Sequence, residues 1–392
     1  MKKFNRFYRN FEVNYDVVQR ANFNPYYPVL QSGLDDSVTI KGEDYIDLAS
    51  NNYLGLANDL RVKRAGIEAI EKYGMSLCAT PIASGYSELY HHVEQKLSDF
   101  VGLERGIIYP SCYQANNGLF PVIAGEEDIA LIDRCAHSSL IEGVKSSGCK
   151  IWPFLHNNLE NLEATLKKAT PYRRVFIVTE SVFSTEGEIA PFKEIVQLAE
   201  KYNAIPVIDD SHGIGVLGEK GRGILEFTGL KDFQGIYTAS LGKALANSGG
   251  IICGKNNLID YLKYFSSHLV YSTSLNPCSL AGIASVLDII EGEFSQLNKK
   301  IHTTKIRINE ALQKSGFNMT KSITPILSIK SGDSVSTLAM AKNFFTNKIL
   351  TTPFIYPSVQ TNEGRIRIIA GAKLTESKLA QIINIIGSLN KR

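Results

Sequence analysis

Long apolar runs are missing from this chain of 392 residues: no stretch reaches the length a bilayer-spanning helix needs, so no membrane span is expected. Charge of one sign is equally scarce in blocks. Lys+Arg 42 against Asp+Glu 39 leaves a formal net charge of +3, and no run of like charges suggests a nucleic-acid arm or a membrane patch. The six cysteines, Cys78, Cys112, Cys135, Cys149, Cys253 and Cys278, lie far apart, without a Cys-x-x-Cys pair or a Cys/His cluster at zinc spacing. They are expected to be reduced and mostly buried, with no metal site. The basic residues Lys2, Lys3 and Arg6 are not followed by an apolar segment of the secretory kind, which leads to the expectation of a soluble, cytoplasmic protein. Internal repeats and low-complexity tracts are absent as well.

What is present is 44% hydrophobic content over a length that exceeds one small domain, enough for a large core. From about residue 104 to 255 short apolar runs alternate with amphipathic stretches. Gly106–Tyr109, Ile129–Ile132, Val175–Thr179, Ile205–Ile208, Gly235–Ala239 and Gly250–Cys253 read as buried strands; Leu159–Ala169 and Phe192–Tyr202 read as helices. This alternation implies an α/β fold, with a mostly parallel central sheet sandwiched by helices. After Asn276 the texture changes to a long helix (277–314), a strand near 325–330, a helix near 335–346, a strand at 365–369 and a closing helix from about 375. The expected division is an N-terminal arm (1–48), a large ligand-binding domain (49–276) and a smaller C-terminal α+β domain (277–392).

Two residues carry the first chemical signal. Lys243 ends the run Thr-Ala-Ser-Leu-Gly-Lys (238–243), and Asp209 ends an apolar run in Ile-Asp-Asp-Ser-His (208–212). Pyridoxal phosphate chemistry requires an amine for the aldehyde, a carboxylate to keep the pyridine nitrogen protonated, and small donors around the phosphate. Taken alone, a Ser-Leu-Gly-Lys turn is more often a solvated lysine, Asp209 and Asp210 are more often helix caps, and His212 is more often an ordinary hydrogen-bonded histidine. Their company changes the balance. Ligands bind beyond strand ends in open parallel sheets, and the segments there hold Ser111, Cys112 and Tyr113 opening a helix, then His137, then Glu180 and Ser184. A competing motif, Gly213-Ile214-Gly215-Val216-Leu217-Gly218, has the G-x-G-x-x-G form of dinucleotide-binding folds. Asp209 and Asp210 would place negative charge beside a pyrophosphate, and no apolar helix follows, so these glycines read better as a loop.

The assembled motifs resemble the α-oxoamine synthases, a branch of the fold type I pyridoxal phosphate enzymes. Ser50-Asn51-Asn52-Tyr53-Leu54-Gly55-Leu56, Ser84-Gly85-Tyr86, His137, Asp209 with His212, Gly221-Arg222-Gly223, Ser240 to Lys243 and Tyr271-Ser272-Thr273-Ser274 appear in family order. The resemblance covers residue 45 or so to the C-terminus. It implies a fold type I transferase that condenses a small amino acid with an acyl thioester, of coenzyme A or a carrier protein, with loss of carbon dioxide. By the same resemblance Lys243 is the Schiff-base lysine, Asp209 the partner of the ring nitrogen and His137 the ring-stacking group. Ser184 and His212 would surround the phenolic oxygen. Backbone at Cys112 and Tyr113, with Ser240, would hold the phosphate. Ser272 and Thr273 would reach the phosphate of a second subunit, giving a homodimer with shared sites, while Asn51 and Arg367 would face the substrate.

Substrate identity is less legible. Pro110–Phe120 leans towards ketobutyrate ligases, whereas Ser84–Val93 and His268–Ser274 lean towards oxononanoate synthases. Ser76–Pro81 and Ala370–Lys373 depart from the family pattern, and both are expected near the substrate. Oxononanoate synthase-like condensation is the narrowest expectation, with ketobutyrate ligase, serine palmitoyltransferase or autoinducer synthase activity as alternatives and a fold type I aminotransferase as a more distant one.

Overall fold

A computed structural model describes residues 16–389; residues 1–15, which hold the basic N-terminus and the beginning of the expected arm, lie outside the described residues, as do 390–392. After a short helix, Asp16–Ala21 (α1), the strands Ser37–Ile40 (β1) and Glu43–Asp47 (β2) form a hairpin through the two-residue turn Lys41-Gly42. Two amphipathic helices follow, Leu60–Tyr73 (α2) and Glu88–Val101 (α3). Each is capped by a side chain one residue before it, Asp59 and Ser87.

Seven strands then alternate with helices: Arg105–Tyr109 (β3), Cys112–Ile123 (α4), Ile129–Asp133 (β4), Ser138–Ser146 (α5), Lys150–Phe154 (β5), Leu159–Ala169 (α6), Val175–Glu180 (β6), Phe192–Lys201 (α7), Ile205–Asp209 (β7), Ile224–Thr228 (α8), Ile236–Ser240 (β8) and Gly250–Gly254 (β9). They make one sheet in the order β3-β9-β8-β7-β6-β4-β5. Only β9 runs against its neighbours; the other adjacent pairs are parallel. Strands β4 and β6 are buried at every position, because helices cover both sheet faces. Ile108, Leu131, Ile177 and Ile208 point into one apolar layer, and Ile107, Ile132, Phe176 and Val207 into the other. Burying each such side chain contributes about 1.5–3 kcal/mol.

Beyond Asn256–Phe265 (α9) and Ser267–Val270 (α10), the chain enters a helix of 38 residues, Pro277–Lys314 (α11). Its start is written in the sequence: the Asn276 side chain accepts from Ser279 N at 2.8 Å, and Pro277 occupies the first turn. This helix packs on α2 and α3, so it joins the large sheet to the C-terminal elements. Those are Ile326–Gly332 (β10), Ser334–Thr346 (α12), Ile349–Leu350 (β11), Thr352–Phe354 (β12), Gly364–Ile369 (β13) and Glu376–Leu389 (α13). Strands β10, β13 and β12 form an antiparallel sheet, while β11 extends the β1-β2 hairpin in parallel. Residues 37–47, read from sequence as part of an arm, are thus paired with a strand that follows α12. No helix among the described residues is long and apolar enough to cross a membrane.

Candidate active site

Parallel strands all deliver their C-terminal ends to one edge of the sheet, and there a cavity of about 380 Å³ opens. Its wall begins with Ser111, Cys112 and Tyr113 after β3. The Ser111 hydroxyl caps α4 by accepting from Gln114 N at 3.1 Å, while the Cys112 and Tyr113 N–H groups belong to the first turn, where no intrahelical acceptor exists. Ser240, Gly242, Ser248 and Gly249 complete the wall, with Gly249 bridged to Ser111. A cradle of helix N–H groups and hydroxyls suits a phosphate.

Lys243 enters this cavity from the turn after β8, with its Nζ 2.8 Å from His212 Nε2. Burial lowers its proton affinity, partly offset by the charge of Asp209. The buried His212 ring is held neutral, first by burial and then by the nearby Lys243 and Arg367. The other ring nitrogen, Nδ1, is hydrogen-bonded to the Tyr53 hydroxyl 2.7 Å away. Tyr53 is fully buried, so the Lys243–His212–Tyr53 chain is fixed at its far end.

Asp209 is 4% exposed at the end of β7. Its Oδ1 accepts from Ser211 N at 3.0 Å and its Oδ2 from Asn116 Nδ2 at 2.8 Å, which leaves lone pairs directed at the cavity. The Ser211 hydroxyl accepts from Ser240 N at 2.8 Å, tying the two strand ends together. Cys112 Sγ is 3.8 Å from Asp209 Oδ2, and burial with the adjacent carboxylate keeps its thiol protonated. His137 caps α5 through Nδ1, which lies 2.8 Å from Ser139 Oγ, and burial lowers its proton affinity. Its backbone N donates to Glu180 Oε1 at 2.6 Å; Glu180, buried beside Asp209, is pushed up to about 8. An amine, an acceptor carboxylate, a flat neutral ring and a phosphate cradle around one cavity fit pyridoxal phosphate.

The structure therefore brings Cys112, Tyr113, His137, Asp209, His212, Ser240 and Lys243 to one cavity. Five expected residues do not line it. Arg367 on β13 is 7% exposed, donates from Nη1 to the Ser184 carbonyl at 3.1 Å, and packs its guanidinium 5.0 Å from the Phe354 ring centroid. Its charge is nevertheless felt by His212 and Lys243. Ser184 meets Arg367 with its backbone carbonyl. Asn51 keeps a buried Oδ1 without a partner, and Ser272 accepts from Gln114 Nε2 of its own chain at 3.0 Å, with Thr273 exposed beside it. Neither divergent segment contributes to the cavity wall. Lys373 is 3.9 Å from Asp35, and Ala79 is bonded through its carbonyl to Ser274 N. Tyr53, Asn116, Ser139 and Ser211 had no role assigned from sequence. Asn116 was legible only as the residue one helical turn after Cys112.

Gly213, the first glycine of the 213–218 motif, and Gly223 pack against the buried Asp210 carboxylate. Asp210 is buried, accepts from Ile224 N and Tyr237 Oη, each at 2.9 Å, and is pushed up to about 7 by burial. A Cβ on Gly213 would stand 1.9 Å from Asp210 Oδ1, and one on Gly223, whose φ is +92°, 1.9 Å from Oδ2.

Just outside the cavity, Asp133, Cys135 and His156 bring their donor atoms within 4.8 Å of one another, a cluster the sequence spacing concealed. Both ring nitrogens of His156 face carboxylates, Asp133 Oδ1 at 2.9 Å and Glu188 Oε2 at 3.0 Å, so the group acts as an ion triad. Burial alone would strip the His156 proton, but hydrogen bonds and charge from Asp133 and Cys135 prevail and raise it to about 10. Its stabilising contribution is whole below the ordinary value of 6.5 and is lost as pH rises towards 10. Denaturant unfolding of wild type and His156→Gln should show a stability gap at pH 6 that narrows by pH 10; a gap that widens contradicts this.

Residues 43–386 match the family model described as aminotransferase class I and II. The 8-amino-7-oxononanoate synthase of Thermosipho melanesiensis is 36% identical over 372 residues, 95% of each chain. Among solved structures, a serine palmitoyltransferase from S. paucimobilis with bound PLP superposes with a TM-score of 0.92 at 22% identity, covering 100% of this chain and 98% of that one. An 8-amino-7-oxononanoate synthase from Francisella tularensis gives a TM-score of 0.76 at 24% identity, covering 88% and 98%. These two likenesses are of fold.

Proposed function

The chain belongs to the aminotransferase class I and II family, in its α-oxoamine synthase branch, and from that premise we propose that it condenses a small amino acid with an acyl thioester, as 8-amino-7-oxononanoate synthases do. Balanced, an amino acid, a thioester and one proton give an α-oxoamine, carbon dioxide and a free thiol. The observation that carries the proposal is Lys243 and Asp209 lining one cavity together with the α4 N-terminus.

Pyridoxal phosphate, when bound, supplies an aldehyde for amines and a protonated ring that accepts the electron pair freed at the amino-acid Cα. Lys243, kept reactive by burial, provides the amine and then removes the α-proton with the same Nζ. His212 and Tyr53 orient that Nζ. Asp209, being buried, would hold a proton on the ring nitrogen, and His137 would pack against the ring. The α4 N-terminus and Ser240 take the phosphate. Arg367 and Asn51 receive the substrate: a guanidinium matches a carboxylate with two parallel hydrogen bonds.

Two chains complete the site in this reading. Tyr264, Phe265 and Tyr271 are 66%, 60% and 83% exposed, and Ile82, Tyr86 and Tyr264 share one hollow, an apolar surface suited to a second copy. Ser272 and Thr273 follow Tyr271 directly and, in this reading, serve the partner's phosphate. Lys243→Ala and the double variant Ser272→Ala/Thr273→Ala, each inactive alone, should regain activity when refolded together. Mixtures that stay inactive although heterodimers form contradict the shared site. A cytoplasmic setting belongs to the same proposal: six free cysteines, with Cys78 and Cys135 exposed, suit a reducing compartment. Incubation with each proteinogenic amino acid and a panel of acyl thioesters, followed by product mass, tests the function. An oxo acid formed without any thioester would mark an aminotransferase instead.

A further inference from the structure

The contact that aims Arg367 comes from a loop that follows β6. Residues 183–188 close on themselves, with Phe183 N donating to Glu188 O at 2.9 Å and Gly187 N to Phe183 O at 2.8 Å. The loop presents the Ser184 carbonyl to Arg367 Nη1. Glu186 accepts from Arg365 Nε at 2.9 Å, and the Gly187 carbonyl accepts from Ser322 and Thr324 hydroxyls at 3.0 and 3.2 Å. All these ties lead towards the C-terminal elements.

One tie leads the other way. Glu188 bonds His156 Nε2, and His156 Nδ1 bonds Asp133 Oδ1 at the end of β4. Asp133 is 1% exposed; Oδ1 also accepts from Cys135 N at 2.8 Å, and Oδ2 accepts from Asn157 N at 3.0 Å. It therefore anchors the turn that carries His137. The Phe183 ring meets His156 edge-on at 4.2 Å between centroids and fixes the imidazole plane. His156 thus couples the His137 turn to the Ser184 loop, and the triad itself stays outside the cavity wall.

We propose that His156 is a positioning residue for the amino-acid carboxylate: by bridging Asp133 to Glu188 it holds loop 183–188 where the Ser184 carbonyl aims the Arg367 guanidinium. This rests on the reading of Arg367 as the carboxylate-binding group. Arg367 is sensitive to such a shift because few contacts set its direction. Among the described residues its buried Nε has no partner, and only the Ser184 carbonyl and the Phe354 ring steer the rest. Two-point recognition of a carboxylate fails when the fork rotates.

The test uses holoenzyme carrying His156→Gln, which cannot bridge both carboxylates as a doubly protonated imidazole does, or Glu188→Ala, which removes one end of the bridge. Glycine, L-alanine and L-serine are titrated separately while the cofactor absorption is followed. For the amino acid that wild type binds best, Kd should rise about five- to tenfold in each variant, while cofactor affinity stays within about twofold. KM should rise more than kcat falls. A merely structural role would lower thermal stability without this selective loss, and that result overturns the proposal. Should His156→Gln fail to fold, Glu188→Ala decides alone, since the Glu188 side chain is 38% exposed. Arg367→Ala serves as reference, and adding His156→Gln to it should cost no further affinity; additive losses overturn the coupling. If Arg367→Ala binds the amino acid normally, the reading of Arg367 falls first. If it binds poorly while both triad variants bind normally, only the positioning role falls.

Discussion

Replacing Lys243 by alanine is expected to lower turnover by at least about a thousandfold while the fold and cofactor binding survive. Lys243 is the only amine on the cavity wall among the described residues, so no neighbour can substitute for it. Its removal empties space in an open cavity and leaves the apolar core intact, so little stability is lost. The cradle at α4, Ser240 and Asp209 remains to hold the cofactor. Borohydride reduction followed by peptide mapping should place a pyridoxyl group on Lys243 in wild type and on no lysine of the variant. A pyridoxyl group on another lysine would contradict the assignment.

The second large effect belongs to Asp209→Asn. The amide is nearly isosteric, and its single oxygen can keep one of the two bonds, from Ser211 N or from Asn116 Nδ2, so the fold should persist with some loss of stability. What disappears is the charge that keeps a ring nitrogen protonated in a buried setting. Breaking a buried ion pair costs about 3–5 kcal/mol, which corresponds to about two to four orders of magnitude in kcat. Steady-state kinetics at saturating cofactor and substrates checks this. A variant within about threefold of wild type would mean that Asp209 does not face the ring nitrogen.

The central strands were legible because β4 and β6 are buried on both faces and read as unbroken apolar runs. Strand β5 was not, since it is the sheet's edge, partly exposed, and contains Pro153, which only an edge strand accommodates. Strands β11 and β12 are two and three residues long, too short for any periodicity. The same contrast governs the site. Lys243 and Asp209 follow apolar runs directly, so the rule that ligands bind beyond strand ends was enough to find them. The Tyr53–His212 bond spans 159 residues and the His156–Glu188 pair spans 32. Neither pairing leaves a local pattern, because each depends on which strand ends the topology places side by side. Arg367 was found through the resemblance alone, because alternate arginines on a strand are equally consistent with a solvated face. The structure buries both Arg365 and Arg367.

The most direct measurement of the central claim is release of carbon dioxide from a carboxyl-labelled amino acid, followed together with free thiol. Condensation predicts that neither appears without the acyl thioester, and that both appear one-for-one once the cognate thioester is added. Labelled oxo acid accumulating in the absence of thioester, with the label retained in its carboxylate, would contradict the account.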